Sequence, residues 1–197
     1  MARTKADTFE TQRAAIRDAA TRLFAEKGYK AASIADLARA CGVSKALMYH
    51  YYRDKEHLLF DIADSYIDRL QSIVDAVGAE ELPAAAHLRR LVESFMAEYG
   101  HSAARHRVLV QDVKYLERIH RARVLAKQRR VVQGYADVIA QLAPADRARL
   151  AKPLTMILFG MINWTFTWLR AQGPLTYADM ADIVTEIFLH GAIDEAA

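Results

Sequence analysis

The sequence predicts an all-α protein with about nine helices. Apolar residues recur at helical spacing through nearly all of the 197 residues, which is the pattern of helices that bury one face. No segment combines strict apolar–polar alternation with β-branched enrichment, so no strand is predicted. Glycine, proline and N-capping residues interrupt the periodic segments where helices are expected to end and begin.

Three helices are predicted at the N-terminal end. Gly28 ends the first, because glycine readily adopts the left-handed backbone that follows many helices. Ser33 begins the second, and Asp36 three residues later forms a variant of the capping box. Ser44 caps the third after an interruption at Gly42. The apolar face of the first helix consists of Ile16, Ala20, Leu23 and Phe24.

Six longer helices are predicted after these three. Asp54 caps the first of them and Gly78 ends it, while Pro83 opens the next. Gly173-Pro174 separates the last two. The predicted ranges are residues 55–77, 83–102, 105–115, 117–142, 147–171 and 177–191. Two domains are expected, one over residues 1–54 and a helical one over residues 55–197.

Composition excludes several classes of protein. Hydrophobic residues make up 53% and charged residues 26%, which allows a packed core and excludes general disorder. The single cysteine, Cys41, excludes a disulfide framework and a multi-cysteine zinc site. The charged N-terminus predicts no signal peptide, and a cytoplasmic protein is expected. The charge-free segment 153–169 contains Asn163 and three threonines, so it is interpreted as a buried helix rather than a membrane span.

Positive charge is concentrated at the N-terminal end. Residues 1–55 hold 11 Lys and Arg against 6 Asp and Glu, whereas the remainder is slightly acidic. Such an asymmetry is typical of a domain that binds a polyanion. A merely solvated face remains the alternative on charge alone.

The segment 34–51 has the spacing of a helix-turn-helix. Gly42 supplies the residue that tolerates a left-handed turn, and Ala38 the small residue where the two helices pack. In this motif the N-terminal part of the second helix enters the major groove. An ordinary helical hairpin that contains glycine is the alternative. The apolar anchors are Leu37, Cys41, Val43, Met48 and Tyr51.

The polar residues of this segment suit contacts with DNA. Lys45 can donate to guanine acceptors, and His50 lies on the same free face. Tyr49 and Tyr51 can contact phosphates or sugars. Backbone N–H groups at the helix starts of Ser33 and Ser44 suit phosphates, as does Lys55, at the start of the following helix.

Three stretches resemble the TetR family of transcriptional regulators: residues 19–29 (AATRLFAEKGY), 33–45 (SIADLARACGVSK) and 48–59 (MYHYYRDKEHLL). The resemblance implies a three-helix DNA-binding domain over residues 1–54 and a helical effector-binding and dimerisation domain over residues 55–197. It also implies a homodimer that pairs through its last two helices, reads a palindromic operator, and usually acts as a repressor released by a small ligand.

The resemblance also implies roles for individual residues. Ser33, Ser44, Tyr49, Tyr51 and Lys55 match positions that contact the DNA backbone, and Lys45, Ala46 and His50 match positions that read bases. Three residues depart from the family pattern: Ala32, Leu47 and Met48. Leu47 stands where a small residue is common, and it offers an apolar contact to a thymine methyl group instead.

Candidate effector-binding residues lie in the C-terminal body. The aromatic segment 159–169 is apolar on all sides, which predicts burial against both the protein core and a partner subunit. Each aromatic residue has ordinary core packing as its alternative role. Asn163 is expected to make either a helix-packing hydrogen bond or a contact with an effector. The aromatic candidates are Phe95, Tyr99, Tyr115, Trp164 and Trp168.

Between residues 114 and 130 there are seven basic residues and one acidic residue. A solvated helix face is one interpretation, and a rim that binds ligand phosphates is the other. Arg118, Arg121, Lys127 and Arg130 are the candidate phosphate ligands. Beside an apolar cavity, such a rim suits a coenzyme A thioester. Residues 107–116, 158–168 and 173–179 resemble acyl-CoA-responsive regulators of the same family, most closely those of phenylacetate degradation, whose effector is phenylacetyl-CoA.

No catalytic motif is recognisable in the sequence, so an enzyme is not predicted, and neither a metal nor a cofactor is expected. Cys41 is interpreted as an apolar anchor rather than a redox switch. The partners expected are double-stranded DNA, a second copy of the chain and a small-molecule effector, with no membrane. An acyl-CoA-transforming enzyme and a constitutive architectural DNA-binding protein are the alternative functions.

Overall fold

The computed structural model describes residues 2–143, 148–170 and 172–193, and the regular structure within these ranges is entirely helical. This confirms the predicted all-α class. The nine α-helices are α1 (Ala2–Lys27), α2 (Ile34–Ala40), α3 (Lys45–Tyr51), α4 (Lys55–Gly78), α5 (Ala84–His101), α6 (Ala103–Asp112), α7 (Arg118–Leu142), α8 (Ala151–Asn163) and α9 (Tyr177–Phe188).

Local signals placed most of the helix ends correctly. Gly28 has a φ of +80° and Gly42 a φ of +65°, a backbone that side chains with a Cβ rarely adopt. Ser33 and Asp36 form the predicted capping box at the start of α2. The Asp54 carboxylate accepts the backbone N–H of His57 at 2.7 Å at the start of α4.

The helix predicted over residues 147–171 is wrong beyond Asn163. Trp164 ends α8, and a 3-10 turn follows at Thr165–Thr167. The hydroxyls of Thr165 and Thr167 donate to backbone carbonyls three residues earlier, both at 2.7 Å, which are local bonds that compete with helix continuation. The predicted ends Arg147 and Ala171 lie outside the described residues.

Two other predicted ends also shift. Helix α6 ends at Asp112, and a 3-10 turn over Val113–Tyr115 replaces its predicted last turn. Helix α9 ends at Phe188, and a turn of π-helix continues to Ile193. The capping box of Thr176 and Asp179 at the start of α9 follows the same sequence rule as that of Ser33 but was not predicted.

The chain forms two compact units. The first comprises Met1–Tyr66 and Ala104–Val124, and the second comprises Ile67–Ala103 and Leu125–Ala197. The first unit therefore contains more than residues 1–54, because it also includes the start of α4 and residues 104–124. A functional boundary after residue 54 stays a prediction.

Each unit has its own core. In the first, Ile16, Phe24, Leu37, Met48 and Leu58 are almost fully buried. In the second, the rings of Phe95, Tyr135 and Phe159 pack with centroids 4.9 to 6.2 Å apart, within the range of favourable aromatic pairs. Among the helices searched, none is both long enough and apolar enough to span a bilayer.

Candidate DNA-binding surface and effector-binding residues

The turn between α2 and α3 has the geometry of a helix-turn-helix. The backbone N–H of Val43 donates to the carbonyl of Ala38 at 2.9 Å, which closes the turn around Gly42. Leu37, Ala38 and Met48 are buried, so the two short helices are anchored from beneath. Of the predicted anchors, Cys41, Val43 and Tyr51 are only half-buried.

Helix α3 presents its predicted reading residues to solvent. The Ser44 hydroxyl accepts the backbone N–H of Leu47 at 3.0 Å and caps the helix as expected. The exposed set consists of Ser33, Ser44, Lys45, Ala46, Leu47, Tyr49 and His50, with Tyr51 half-buried beside it. A lysine, a tyrosine and a histidine on one short open helix can donate to base edges and phosphates.

A buried polar contact supports this surface and was not predicted from the sequence. The Tyr52 hydroxyl donates to the Asp61 carboxylate at 2.6 Å, and Arg13 donates to the same carboxylate at 3.0 Å. Burial and the bond to Asp61 raise the pKa of Tyr52, which therefore stays protonated. These bonds join α1, the end of α3 and α4. The sequence signal for this contact was the tyrosine directly after α3, Tyr52.

Lys55 has structural partners that the sequence did not indicate. Its ammonium donates to the carbonyls of Tyr29 and Ala32 at 2.8 and 2.9 Å, and it lies 4.3 Å from the centroid of the Tyr29 ring. Burial lowers the pKa of Lys55. The residue thus ties the start of α4 to the segment between α1 and α2, and its phosphate contact stays a prediction.

Comparison with known proteins decides the family. Residues 16–62 match the domain described as bacterial regulatory proteins of the tetR family, and residues 81–192 match the tetracyclin repressor-like C-terminal domain. The chain belongs to the TetR family of transcriptional regulators. The predicted family is confirmed, and the role of the exposed α3 face in reading DNA stays a prediction.

Three relatives illustrate the range of this family. A TetR-family regulator from Bordetella parapertussis 12822 is 34% identical, with a TM-score of 0.86 over 94% of this chain and 97% of that chain. The activator FasR of Mycolicibacterium smegmatis is 24% identical over 80% of this chain and 72% of its own length. AibR in complex with isovaleryl coenzyme A and operator DNA shares the fold, with 23% identity and a TM-score of 0.80 over 89% of this chain and 97% of that chain.

In the second unit of this TetR regulator, three predicted effector residues lie together. Tyr99 donates its hydroxyl to the side-chain oxygen of Asn163 at 2.8 Å, and the rings of Phe95 and Tyr99 are 5.9 Å apart. Phe95 and Tyr99 are almost completely buried. The bond joins α5 to the end of α8, as expected of a helix-packing role for Asn163, and its contact with an effector stays a prediction.

Three other predicted effector residues lie in the first unit rather than the second: Tyr115, Arg118 and Arg121. Tyr115 stacks on Tyr29 with ring centroids 5.5 Å apart and does not join the aromatic core of the second unit. The ammonium groups of Lys30 and Lys114 lie 5.0 and 5.1 Å from its ring, at cation–π distance. Arg118 and Arg121 are exposed, and no carboxylate in the described ranges pairs with either.

The remaining basic candidates in the second unit differ from each other. The Lys127 ammonium is buried and bonds to the Asp68 carboxylate at 2.7 Å, which gives it a structural role between α7 and α4. Arg130 is exposed. Lys127 therefore does not lie on an open cationic rim, because its ammonium is neutralised by an acidic partner.

Trp164 and Trp168 are 55% and 52% exposed in the single chain, and the expected burial of this segment against a partner subunit stays a prediction. Met156 and Ile157 on α8 and Ile183 and Ile187 on α9 are also exposed. A groove of about 600 Å³ runs along this apolar surface. Its lining residues are Leu150, Leu154, Ile157, Met161, Ile187, Phe188 and Gly191.

Cys41 is half-buried, and its thiol donates to the carbonyl of Ile16 at 3.6 Å. Burial raises the pKa of the Cys41 thiol, which disfavours the reactive thiolate. A search of the described residues finds no group of three histidine, cysteine or acidic side chains placed to hold a metal ion.

Proposed function

We propose that this TetR regulator is a homodimeric repressor of an operator with two-fold symmetry. The observation that carries the proposal is the exposed apolar surface of α8 and α9 in a chain whose α3 face is open for DNA. Large contiguous apolar surfaces usually mark an interface. A second copy is the favoured occupant because paired reading helices require a two-fold dimer.

The sign of regulation is the second part of the proposal. Repression is the mode of regulation that the TetR resemblance implies. FasR, a relative that matches over 80% of this chain, is described as an activator. Deleting the gene for this regulator is expected to raise transcription of its targets, and a fall in transcription would identify an activator.

The third part of the proposal is an acyl-CoA thioester as the releasing effector, with phenylacetyl-CoA the first to test. AibR, which has the same fold, is described in complex with isovaleryl coenzyme A and operator DNA. In the second unit, exposed Arg130 leaves a cation available for a ligand that carries phosphates. A different hydrophobic effector is the alternative.

Fluorescence anisotropy with a labelled duplex from immediately upstream of the gene tests operator binding and the effector. Phenylacetyl-CoA, a straight-chain acyl-CoA, free phenylacetate and free coenzyme A are titrated into the complex. Release by phenylacetyl-CoA alone supports the proposal. An effector can release DNA only if it binds the two states of the protein with different affinity. Tight binding that none of the four compounds disturbs contradicts the acyl-CoA part and leaves DNA binding intact.

Two further measurements distinguish the alternative functions. Hydrolysis or transfer of the acyl group by the purified protein would indicate an enzyme. Lys45→Ala is expected to weaken operator binding by roughly 1–3 kcal/mol, with a smaller loss on unrelated DNA. Lys27→Ala, which removes an exposed cation at the end of α1, is the matched control. Equal losses on both DNAs would contradict base reading by Lys45.

A further inference from the structure

An aromatic residue of α1 packs against the reading helix. The ring of Phe9 lies 4.6 Å from that of Tyr51 and 6.0 Å from that of His50, and the His50 and Tyr51 rings are 5.3 Å apart. The three rings therefore form a closed triangle. Two of them belong to α3 residues that are predicted to contact DNA, and the third comes from a helix with no assigned role in recognition.

The geometry of this triangle is directional. The His50 ring stands nearly perpendicular to both neighbours, at 82° to Phe9 and 83° to Tyr51. Edge-to-face contacts of this kind depend on ring orientation as well as on buried area. An exposed histidine otherwise exchanges rotamers freely and loses that freedom on binding. Phe9 thus restricts the imidazole before DNA arrives.

Phe9 is itself held in place from the body of the first unit. Arg13, one helical turn later on α1, bonds to Asp61 at 3.0 Å. Ile16, a further turn along the same face, is fully buried. Phe9 is only half-buried, so its position at the rim is not explained by core packing alone.

We propose that Phe9 is a positioning residue for sequence recognition, because it orients His50 and Tyr51 on α3 for their contacts with DNA. The inference rests on the proposed DNA-reading role of α3. Its consequence is specific: loss of the Phe9 ring removes the sequence preference that His50 provides and leaves the other preferences of the protein in place.

Selection from a library of random DNA duplexes, followed by sequencing, tests this directly. Wild type, Phe9→Ala, Phe9→Leu, Phe9→Tyr and His50→Ala are each selected, and the base preference at every operator position is compared. At the base pairs where His50→Ala loses discrimination, we expect the base preference to fall from about tenfold in wild type to below about twofold in Phe9→Ala and Phe9→Leu. Phe9→Tyr retains the ring and is expected to restore the preference.

Phe60→Ala is the matched control. Phe60 is also half-buried in the first unit and also packs on a histidine, with its ring centroid 4.0 Å from that of His120, but it lies outside the reading helix. It is expected to keep every base preference. If Phe9→Ala fails to fold, Phe9→Leu preserves the apolar volume and carries the test.

Three results would overturn the inference. The first is retention by Phe9→Ala and Phe9→Leu of the preferences that His50→Ala loses. The second is a uniform loss at all positions, which indicates a purely structural role for Phe9. The third is a His50→Ala variant with wild-type preferences. If wild type enriches no sequence at all, the proposed DNA-reading function fails instead, so the two failures are distinguishable.

Discussion

Lys55 joins two segments of the first unit, the start of α4 and the segment between α1 and α2, through one ammonium group. Replacing it with methionine leaves the carbonyls of Tyr29 and Ala32 without their donor. We expect Lys55→Met to lower the free energy of unfolding by about 1–3 kcal/mol, as for other half-buried groups that lose a partner. Chemical denaturation measures this loss.

The same variant tests the predicted phosphate contact of Lys55. If Lys55 also neutralises a phosphate, the slope of log affinity against log salt falls by about 1 for every DNA sequence. Lys27→Met removes an exposed cation at the end of α1 and serves as the comparison for charge alone. An unchanged salt slope in Lys55→Met would restrict Lys55 to its structural role.

The hydrogen bond between Tyr99 and Asn163 has two possible roles, helix packing and effector binding, and one substitution distinguishes them. Tyr99→Phe removes the hydroxyl that donates to Asn163, and we expect it to cost about 1 kcal/mol of stability. Tyr135→Phe removes a comparable buried bond to the carbonyl of Leu91 and is the control. If the bond serves packing alone, both variants keep the wild-type effector concentration for half-release. A shift confined to Tyr99→Phe would place the effector at this bond.

The start of α3 depends on one side chain. Ser44→Ala removes the cap on the Leu47 N–H, and a loss of about 1 kcal/mol in the free energy of unfolding is expected. Ser44→Asp keeps a capping oxygen but adds negative charge where phosphate is expected. It should therefore fold as wild type and bind all DNA more weakly. Wild-type affinity in Ser44→Asp would show that phosphate does not approach this helix start.

The capping box at the start of α2 makes the stability of the protein depend on pH. The Asp36 carboxylate accepts the hydroxyl and the backbone N–H of Ser33, at 2.7 and 3.1 Å. These bonds lower the pKa of Asp36 from its usual 3.8. Because the folded-state pKa is the lower one, the stabilisation is complete above about pH 4 and is lost as pH falls through the folded value. The stability difference between wild type and Asp36→Asn is expected to shrink over that acidic range in denaturation curves. A difference independent of pH would contradict this.

For the molecule as a whole, the proposed assembly depends on the surface of α8 and α9. Ile157 is 58% exposed on that surface, and Ile157→Asp introduces a charge where the proposed interface excludes water. We expect the variant to sediment as a monomer at micromolar concentration and to lose operator binding. Ile119→Asp, at a position 73% exposed on α7, is the matched control and should remain dimeric. A dimeric Ile157→Asp would contradict the proposed interface.

Much of the structure of the first unit was predictable, because the sequence signals for its helices and turns are short-range. Capping residues, the left-handed glycines and the spacing of Leu37, Ala38 and Met48 each act within a few residues. The candidate effector residues were harder to predict, since aromatic and basic residue types do not reveal which neighbours they meet. Lys127 bonds to Asp68, and Tyr115 stacks on Tyr29, so neither has the neighbours that were expected for it.

The sequence by itself determined the helical class, the helix-turn-helix and the residues on its open face. Capping bonds and helical periodicity involve residues only a few positions apart, so the sequence of each segment is enough to predict them. Only the tertiary structure decided which partners distant residues found: Phe9 with His50, Lys55 with the carbonyl of Tyr29, and Tyr99 with Asn163. It also decided that Trp164 and Trp168 remain exposed, because burial depends on how whole helices pack rather than on the polarity of any one segment.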